Sequence, residues 1–457
     1  MNLKYRPEID GLRAIAVLSV IIYHAKIKIF GYRLLEGGFL GVDVFFVISG
    51  YLITSIIFKE FKETGKFSFL NFYERRIRRI IPALFFVILV SLPFAWFFIL
   101  PDDYINFSKS IIFSLGFLSN YFFHFSGQEY ISVDSLYIPL LHTWSLSVEE
   151  QYYLIFPIIL LGFLKFFRSY ILILLGFLFL ISFIFANIGS LNYPSLNFYS
   201  LHTRLWEIMA GSLISYFHIN YDYKFHEQKF HNISTLLGIV LIILPIILYD
   251  ESIRHPSFYT LPTIIGTSLV IWFSSKNNFV IQILSSKIFV SIGLISYSLY
   301  LWHYPIFAFS RIRYTGFNSH GYLKEIIILI LVVIFSLVTY FFIEKPARNR
   351  QNRFKFVSIP ISFVLILFLG YSSFIIKNNG YETRYFNTDI YKFSKQSYLE
   401  QFNFFTENYN YDNYSNDKRN VLIVGNSFSL NLLQVLSDSD LNQRFYFNHA
   451  GPIKRKA

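Results

Sequence analysis

Long apolar stretches recur along this chain from residue 12 to residue 376, and no other feature limits its fold so strongly. They fall near 12–25, 38–58, 80–100, 105–124, 148–167, 169–188, 203–218, 233–249, 258–274, 288–309, 322–343 and 356–376. Each approaches the roughly 20 residues that a helix needs to cross a bilayer core. A lipid-embedded segment must satisfy its own backbone hydrogen bonds, which a helix does alone, whereas a barrel would show short alternating strands. Only 15% of the residues are charged, against roughly 25% in an ordinary soluble domain. The pattern predicts an all-α polytopic membrane protein.

The net charge of +12 does not point to nucleic acid, because the basic residues sit in short loops between apolar runs. That is the positive-inside distribution. The loop 59–79 holds Lys59, Lys62, Lys66, Arg75, Arg76, Arg78 and Arg79; the loop 345–355 holds Lys345, Arg348, Arg350, Arg353 and Lys355. Both read as cytoplasmic. Nine apolar segments lie between them, and an odd number of crossings cannot return the chain to the same side. One segment therefore does not span, and 105–124, with Asn106, Lys109 and Asn120, is the best choice. Eleven spans remain: about ten in a core over 1–350, and an eleventh over 351–376. The N-terminus is then cytoplasmic and the C-terminus extracytoplasmic. Lys26, Lys28 and Arg33 resist this scheme, since they follow the first span on the outer side. The chain has no cysteine, so disulfide and thiolate chemistry are excluded. Acidic Glu8 and Asp10 before the first apolar run argue against a cleavable signal peptide.

Residues 377–420 are polar and read as an extracytoplasmic linker. "NVLIVGNSFSLNLL" follows, an apolar strand, a turn and an amphipathic stretch, as at the opening of an α/β domain. The sequence stops at Ala457, so 421–457 reads as the start of a domain too short to bury a core.

Ionisable groups inside the apolar runs carry the functional signal. "RAIAVLSVIIYH" runs from Arg13 to His24. Eleven residues of helix advance about 16 Å and return to nearly the same face. Either Arg13 snorkels and His24 makes one interhelical bond, or the two line a channel with an anion-binding arginine at one end and a histidine base further in. Asp43, also in an apolar run, needs a partner, and Arg13 or His24 could serve. "ERRIRRIIP" places Arg75, Arg76, Arg78 and Arg79 before Pro82, which suits the first turn of a helix. The four are a topology anchor or a grip for phosphates. "HTWSLSVEE" carries His142, Ser145 and Glu149 on one helical face. Glu149 and Glu150 there either complement a helix start or bind an acceptor. Arg204 and Glu207 suggest a local ion pair, Trp302 and His303 an interfacial belt, and Glu344 beside Pro346 a helix stop paired with nearby arginines. The eleven histidines show no metal-ligand spacing, and no metal is expected.

Taken in order, "RPEIDGLRAIAVLSVIIYH", "GGFLGVDVFFVISGYLI", "FYERRIRRIIPAL", "HTWSLSVEEQYYLIFP", "TRLWEIMAGSLI", "ISYSLYLWHYPI" and "IEKPAR" resemble the acyltransferase-3 family of integral-membrane O-acyltransferases. The likeness runs from about residue 5 to residue 350. Such proteins modify bacterial surface glycans, including lipopolysaccharide O-antigen and peptidoglycan. The family has ten spans, and some members add an eleventh leading to an SGNH-hydrolase-like domain. The resemblance implies a protein of the bacterial inner membrane that uses acyl-CoA, chiefly acetyl-CoA, as donor substrate, a surface or lipid-linked glycan as acceptor, and no bound cofactor. It implies essential roles for Arg13 and His24, the latter as base or acyl carrier, and donor binding by Arg75, Arg76, Arg78 and Arg79. His142, Ser145 and Glu149 complete the candidate catalytic set, with Asp10, Asp43 and Glu150 in support. Ser427 in "VGNSF" resembles the first SGNH block, Gly-Asp-Ser, but Asn426 replaces its acid and the late histidine block is missing. Ser427 is thus the weakest candidate nucleophile. Two other classes remain: a transporter, which would consume no thioester, and an inactive scaffold, in which His24→Ala would change nothing.

Overall fold

The computed structural model describes residues 5–29, 31–127, 130, 132, 134–221, 228–275, 277–314, 322–381, 384, 417–424 and 445–450. The chain divides into two units, Met1–Gly380 and Tyr381–Ala457. The first is helical. Its helices are α1 (Pro7–Ala25), α2 (Gly41–Thr64), α3 (Phe69–Phe98), α4 (Pro101–Leu115), α5 (Ser119–Phe125) and α6 (Thr143–Phe166). They continue as α7 (Ile171–Asn192), α8 (Pro194–Tyr199), α9 (Leu201–Asn220), α10 (Gln228–Leu248), α11 (Leu261–Trp272) and α12 (Phe279–Leu284). The last are α13 (Lys287–Leu294), α14 (Ser296–Tyr314), α15 (Tyr322–Val338), α16 (Lys345–Arg348) and α17 (Lys355–Lys377). A short hairpin of β1 (Lys28–Ile29) and β2 (Tyr32–Arg33) follows α1.

Among the described residues, seven helical segments are long and apolar enough to cross a membrane: those built on α2, α3, α6, α7, α10, α15 and α17. The protein is an all-α polytopic membrane protein. Helices α1, α9 and α14, of 19, 20 and 19 residues, are of comparable length but carry ionisable groups. Helices α1 and α9, like α2, hide most of their residues, whereas α15 and α17 turn apolar side chains outward. Within a bilayer, helices that carry charge have to face protein. The segment 105–124 is not one helix. It divides at Gly116–Leu118, where Phe117 adopts φ 54°, between α4 of 15 residues and α5 of 7. Fifteen residues advance about 22 Å, short of a bilayer core of about 30 Å.

Close packing of α2 on α9 organises the centre. A β-carbon at Gly50 would lie 1.8 Å from the Ile208 carbonyl oxygen, and one at Gly211 would lie 1.9 Å from that of Val47. Only glycine permits this approach, the small-residue device of membrane helices. It brings Thr54 within 2.9 Å of Ser212 and Ser55 within 2.8 Å of Ser215 as hydrogen-bonded pairs.

The two basic loops meet at one end of the unit. Arg78 Nη1 donates to the Ala347 carbonyl (3.2 Å) and Arg78 Nη2 to that of Asn352 (2.8 Å). Arg350 reaches Asn71 (3.3 Å). Two of the basic residues after α1 share one acid: Lys26 binds Glu251, and Arg33 stands 3.8 Å from the same carboxylate.

One expectation about α3 is overturned. Pro82 lies well inside this 30-residue helix rather than at its first turn. The start is at Phe69, where the Ser68 side chain accepts the Asn71 N–H at 3.3 Å. The serine supplies the capping acceptor, and the helix then tolerates the proline within it.

In the second unit, β3 (Arg419–Val424) pairs in parallel with β4 (Phe445–Ala450), Arg419 opposite Phe445 and Val424 opposite Ala450. The strand expected in "NVLIV" is present. Ser427 lies outside the described residues.

Candidate active site

Helices α1, α2, α3, α6 and α14 enclose a cavity of about 90 Å³. Arg13 of α1 reaches it, with Ser49 of α2, Arg76 and Arg79 of α3, Ser145, Glu149 and Tyr153 of α6, and Tyr297 and Tyr300 of α14. Glu149 Oε1 accepts from Ser49 (3.0 Å) and Oε2 from Tyr153 (3.0 Å). The Arg76 guanidinium lies over the Tyr153 ring, 5.1 Å from its centre. Arg13 pairs with Asp10 at 2.8 Å, and Asp10 accepts a second bond from Tyr5 at 2.8 Å. Arg13 also lines a wider cleft of about 1070 Å³ with Arg6, Lys59, Glu60, Arg75 and Arg350. It therefore stands between the basic cleft and the cavity. Three guanidiniums meet Glu149 in the cavity wall, which favours an anionic or carbonyl-bearing guest.

Beyond Ser145 and Tyr300 lies a cluster of buried histidines. The Tyr300 hydroxyl is 2.6 Å from Ser145 Oγ and donates to the His142 carbonyl at 3.1 Å. Its ring also touches those of His142 (5.6 Å) and His303 (5.3 Å). His303 Nε2 is 3.3 Å from His24 Nδ1, and His24 Nε2 is 2.7 Å from the Tyr130 hydroxyl. His24 is 2% exposed and points into protein rather than lipid. Arg311 donates to its carbonyl oxygen, satisfying the C-terminal end of α1. His142 stacks on Tyr304 at 5.5 Å, and neither of its ring nitrogens has a hydrogen-bond partner among the described residues. Among those residues, no group of three or more histidines and acids is arranged to hold a metal ion.

The acyltransferase-3 profile, described as an acyltransferase domain, matches residues 6–345. The chain belongs to the acyltransferase-3 family. It is 35% identical over 364 residues to the O-acetyltransferase OatA of Staphylococcus aureus strain NCTC 8325, and equally to that of strain COL. The match covers 76% of this chain and 58% of each relative, so the chain spans less than two thirds of the length of these curated relatives. No solved structure matches it.

The structure of this family member sorts the residues that the sequence singled out. Arg13, Arg76, Arg79, Ser145 and Glu149 share one cavity, and Arg75 faces the wider cleft. Arg78 stands apart: it is 2% exposed and spends its donors on Glu74 and on the carbonyls of 347–352. His142 lies in the histidine cluster rather than in the cavity wall. Glu149 and Glu150 sit in the second turn of α6 and beyond, not at its positive end, since the helix begins at Thr143. Glu150 Oε1 has no hydrogen-bond partner among the described residues.

Asp43 pairs with neither Arg13 nor His24. Its Oδ1 is 3.0 Å from Arg204 Nη1 and its Oδ2 is 3.0 Å from His255 Nε2. Arg204 also meets Glu207 at 3.3 Å, so the expected local pair belongs to a larger buried cluster. Burial holds the loop residue His255 below the ordinary imidazole range, although Asp43 acts the other way. Trp302 and His303 are not interfacial: they are 3% and 0% exposed. Trp302 donates to Thr339 at 2.6 Å, and His303 joins His24. Glu344 pairs with Arg348 at 3.0 Å, but the helical backbone runs on through it and Pro346, which occupies the tolerated first-turn position of α16. Tyr130, Tyr300, Tyr304 and Arg311 were missed by sequence reasoning. Tyrosines are 34 of 457 residues here, too common to single out without coordinates.

Proposed function

We propose that this protein moves an acyl group, chiefly acetyl, from acyl-CoA on the cytoplasmic side of the bacterial inner membrane to a hydroxyl of a surface or lipid-linked glycan. What carries the reading is the run of polar side chains from the Arg13–Arg76–Arg79 cavity, through Ser145 and Tyr300, to His24 and His303. Family membership and the O-acetyltransferase relatives support it.

In this scheme the basic cleft and the arginines, Arg13 among them, hold the phosphates of the donor, and its acyl end reaches past Ser145 and Tyr300 to His24. The carbonyl carbon forms a C–O bond with the acceptor oxygen as its C–S bond breaks. The hydroxyl proton passes to His24, and the CoA thiolate leaves and takes up a proton. If His24 carries the acyl group first, the same atoms balance in two steps, through an acyl-imidazole that the acceptor then cleaves.

The test is thioester consumption by the purified chain in proteoliposomes supplied with labelled acetyl-CoA and a glycan acceptor. Wild type should release CoA and label the acceptor. His24→Ala should lose about 10²–10⁴ in rate, the range for a positioned acid–base group, while eluting as a folded species. Full activity in His24→Ala, or transport of acceptor with no CoA released, would remove the proposal.

A further inference from the structure

We infer that His303 is a positioning residue that fixes the tautomer of His24 and leaves Nε2 as its basic nitrogen. The reasoning begins at a backbone carbonyl. His303 Nδ1 lies 2.6 Å from the Tyr300 carbonyl oxygen. A carbonyl only accepts, so Nδ1 carries the proton and the neutral ring presents a lone pair at Nε2. That lone pair faces His24 Nδ1 at 3.3 Å, which must therefore be the protonated nitrogen of His24. His24 Nε2 is left with a lone pair and accepts from the Tyr130 hydroxyl at 2.7 Å. The opposite tautomer of His24 would set two lone pairs against each other. A charged ring is disfavoured as well: both imidazoles are buried, neither is hydrogen-bonded to a carboxylate among the described residues, and the Arg311 guanidinium sits on the His24 carbonyl.

The consequence rests on the proposed acyl transfer. The Tyr130 hydroxyl stands where an acceptor hydroxyl would give up its proton, and Tyr130 has to yield that place. Tyr130 is held by stacking on Phe198 at 4.5 Å. The relation of Tyr300 carbonyl to His303 to His24 is that of an outer partner fixing a working imidazole.

The tautomer is read directly by nitrogen-15 magic-angle-spinning NMR of histidine-labelled protein in nanodiscs, with the His24 signals assigned by their loss in His24→Gln. Wild type should show His24 protonated at Nδ1 and bare at Nε2. His303→Leu removes the acceptor, so His24 should populate the Nε2–H form and acyl transfer should fall by about 10²-fold or more. His303→Gln, whose amide oxygen can take the place of Nε2, should retain the Nδ1–H form and recover much of the rate. A wild-type His24 protonated at Nε2 overturns the inference, as does an unchanged tautomer or an unchanged rate in folded His303→Leu. If His303→Leu does not fold, the wild-type and His303→Gln spectra decide. Failure of the acyl-transfer reading is separate: wild type would consume no thioester while showing the tautomer described.

Discussion

Replacing Arg204 with methionine tests the buried ionic cluster in the centre of the protein. The side chains of Arg204, Asp43 and Glu207 are all 0% exposed. Among the described residues, Arg204 is the only cation that holds both carboxylates, at 3.0 and 3.3 Å. It also donates to the Phe198 carbonyl at 3.0 Å and lies over Trp144 and Phe198 at 5.3 and 4.8 Å. Arg204→Met keeps the stem and removes the charge, leaving Asp43 with His255 and Glu207 without its cation in a dry site. Removing one partner of a buried pair costs about 3–5 kcal/mol, and protonation of an orphaned carboxylate limits the loss to that range. Asp43→Asn leaves Arg204 and Glu207 matched one to one. Its cost should stay near a lost charged hydrogen bond, about 1.5–3 kcal/mol. The double variant should lose less than the sum, with a coupling of about 0.5–3 kcal/mol. Equilibrium unfolding in mixed micelles, followed by tryptophan fluorescence, measures all three, with Trp144 beside the site. An Arg204→Met loss below about 1 kcal/mol, or strict additivity, would refute a shared dry site.

Gly211→Leu should force α2 and α9 apart, since a β-carbon there meets the Val47 carbonyl oxygen at 1.9 Å, whereas Gly162→Leu, with nothing within 4 Å, should be neutral. Overpacking costs about 1–3 kcal/mol or more, visible as a lowered melting temperature for the first variant alone. Arg76→Gln and Arg79→Gln should raise KM for acyl-CoA with little effect on melting temperature, because their guanidiniums face the cavity. Arg78→Gln should do the reverse, because Arg78 ties α3 to the carbonyls of 347–352; equal KM effects at all three positions would count against the division.

By itself the sequence determined the class of protein and the position of most helices, because apolar runs of span length leave a chain few options in lipid. It also marked Arg13 and His24, since ionisable groups in such runs are conspicuous whatever they touch. It could not assign partners. Asp43 meets Arg204 across 161 positions and His24 meets His303 across 279. The sequence therefore offered Arg13 or His24 for the first and an interfacial belt for His303. Arg75, Arg76, Arg78 and Arg79 look alike as a string, yet each successive helical residue turns by about 100°. Neighbouring arginines thus serve a cleft, a cavity and a structural tie. Only the packing of helices distant in the chain decided which polar groups share a site, because a buried charge or hydrogen bond is settled by what surrounds it in space.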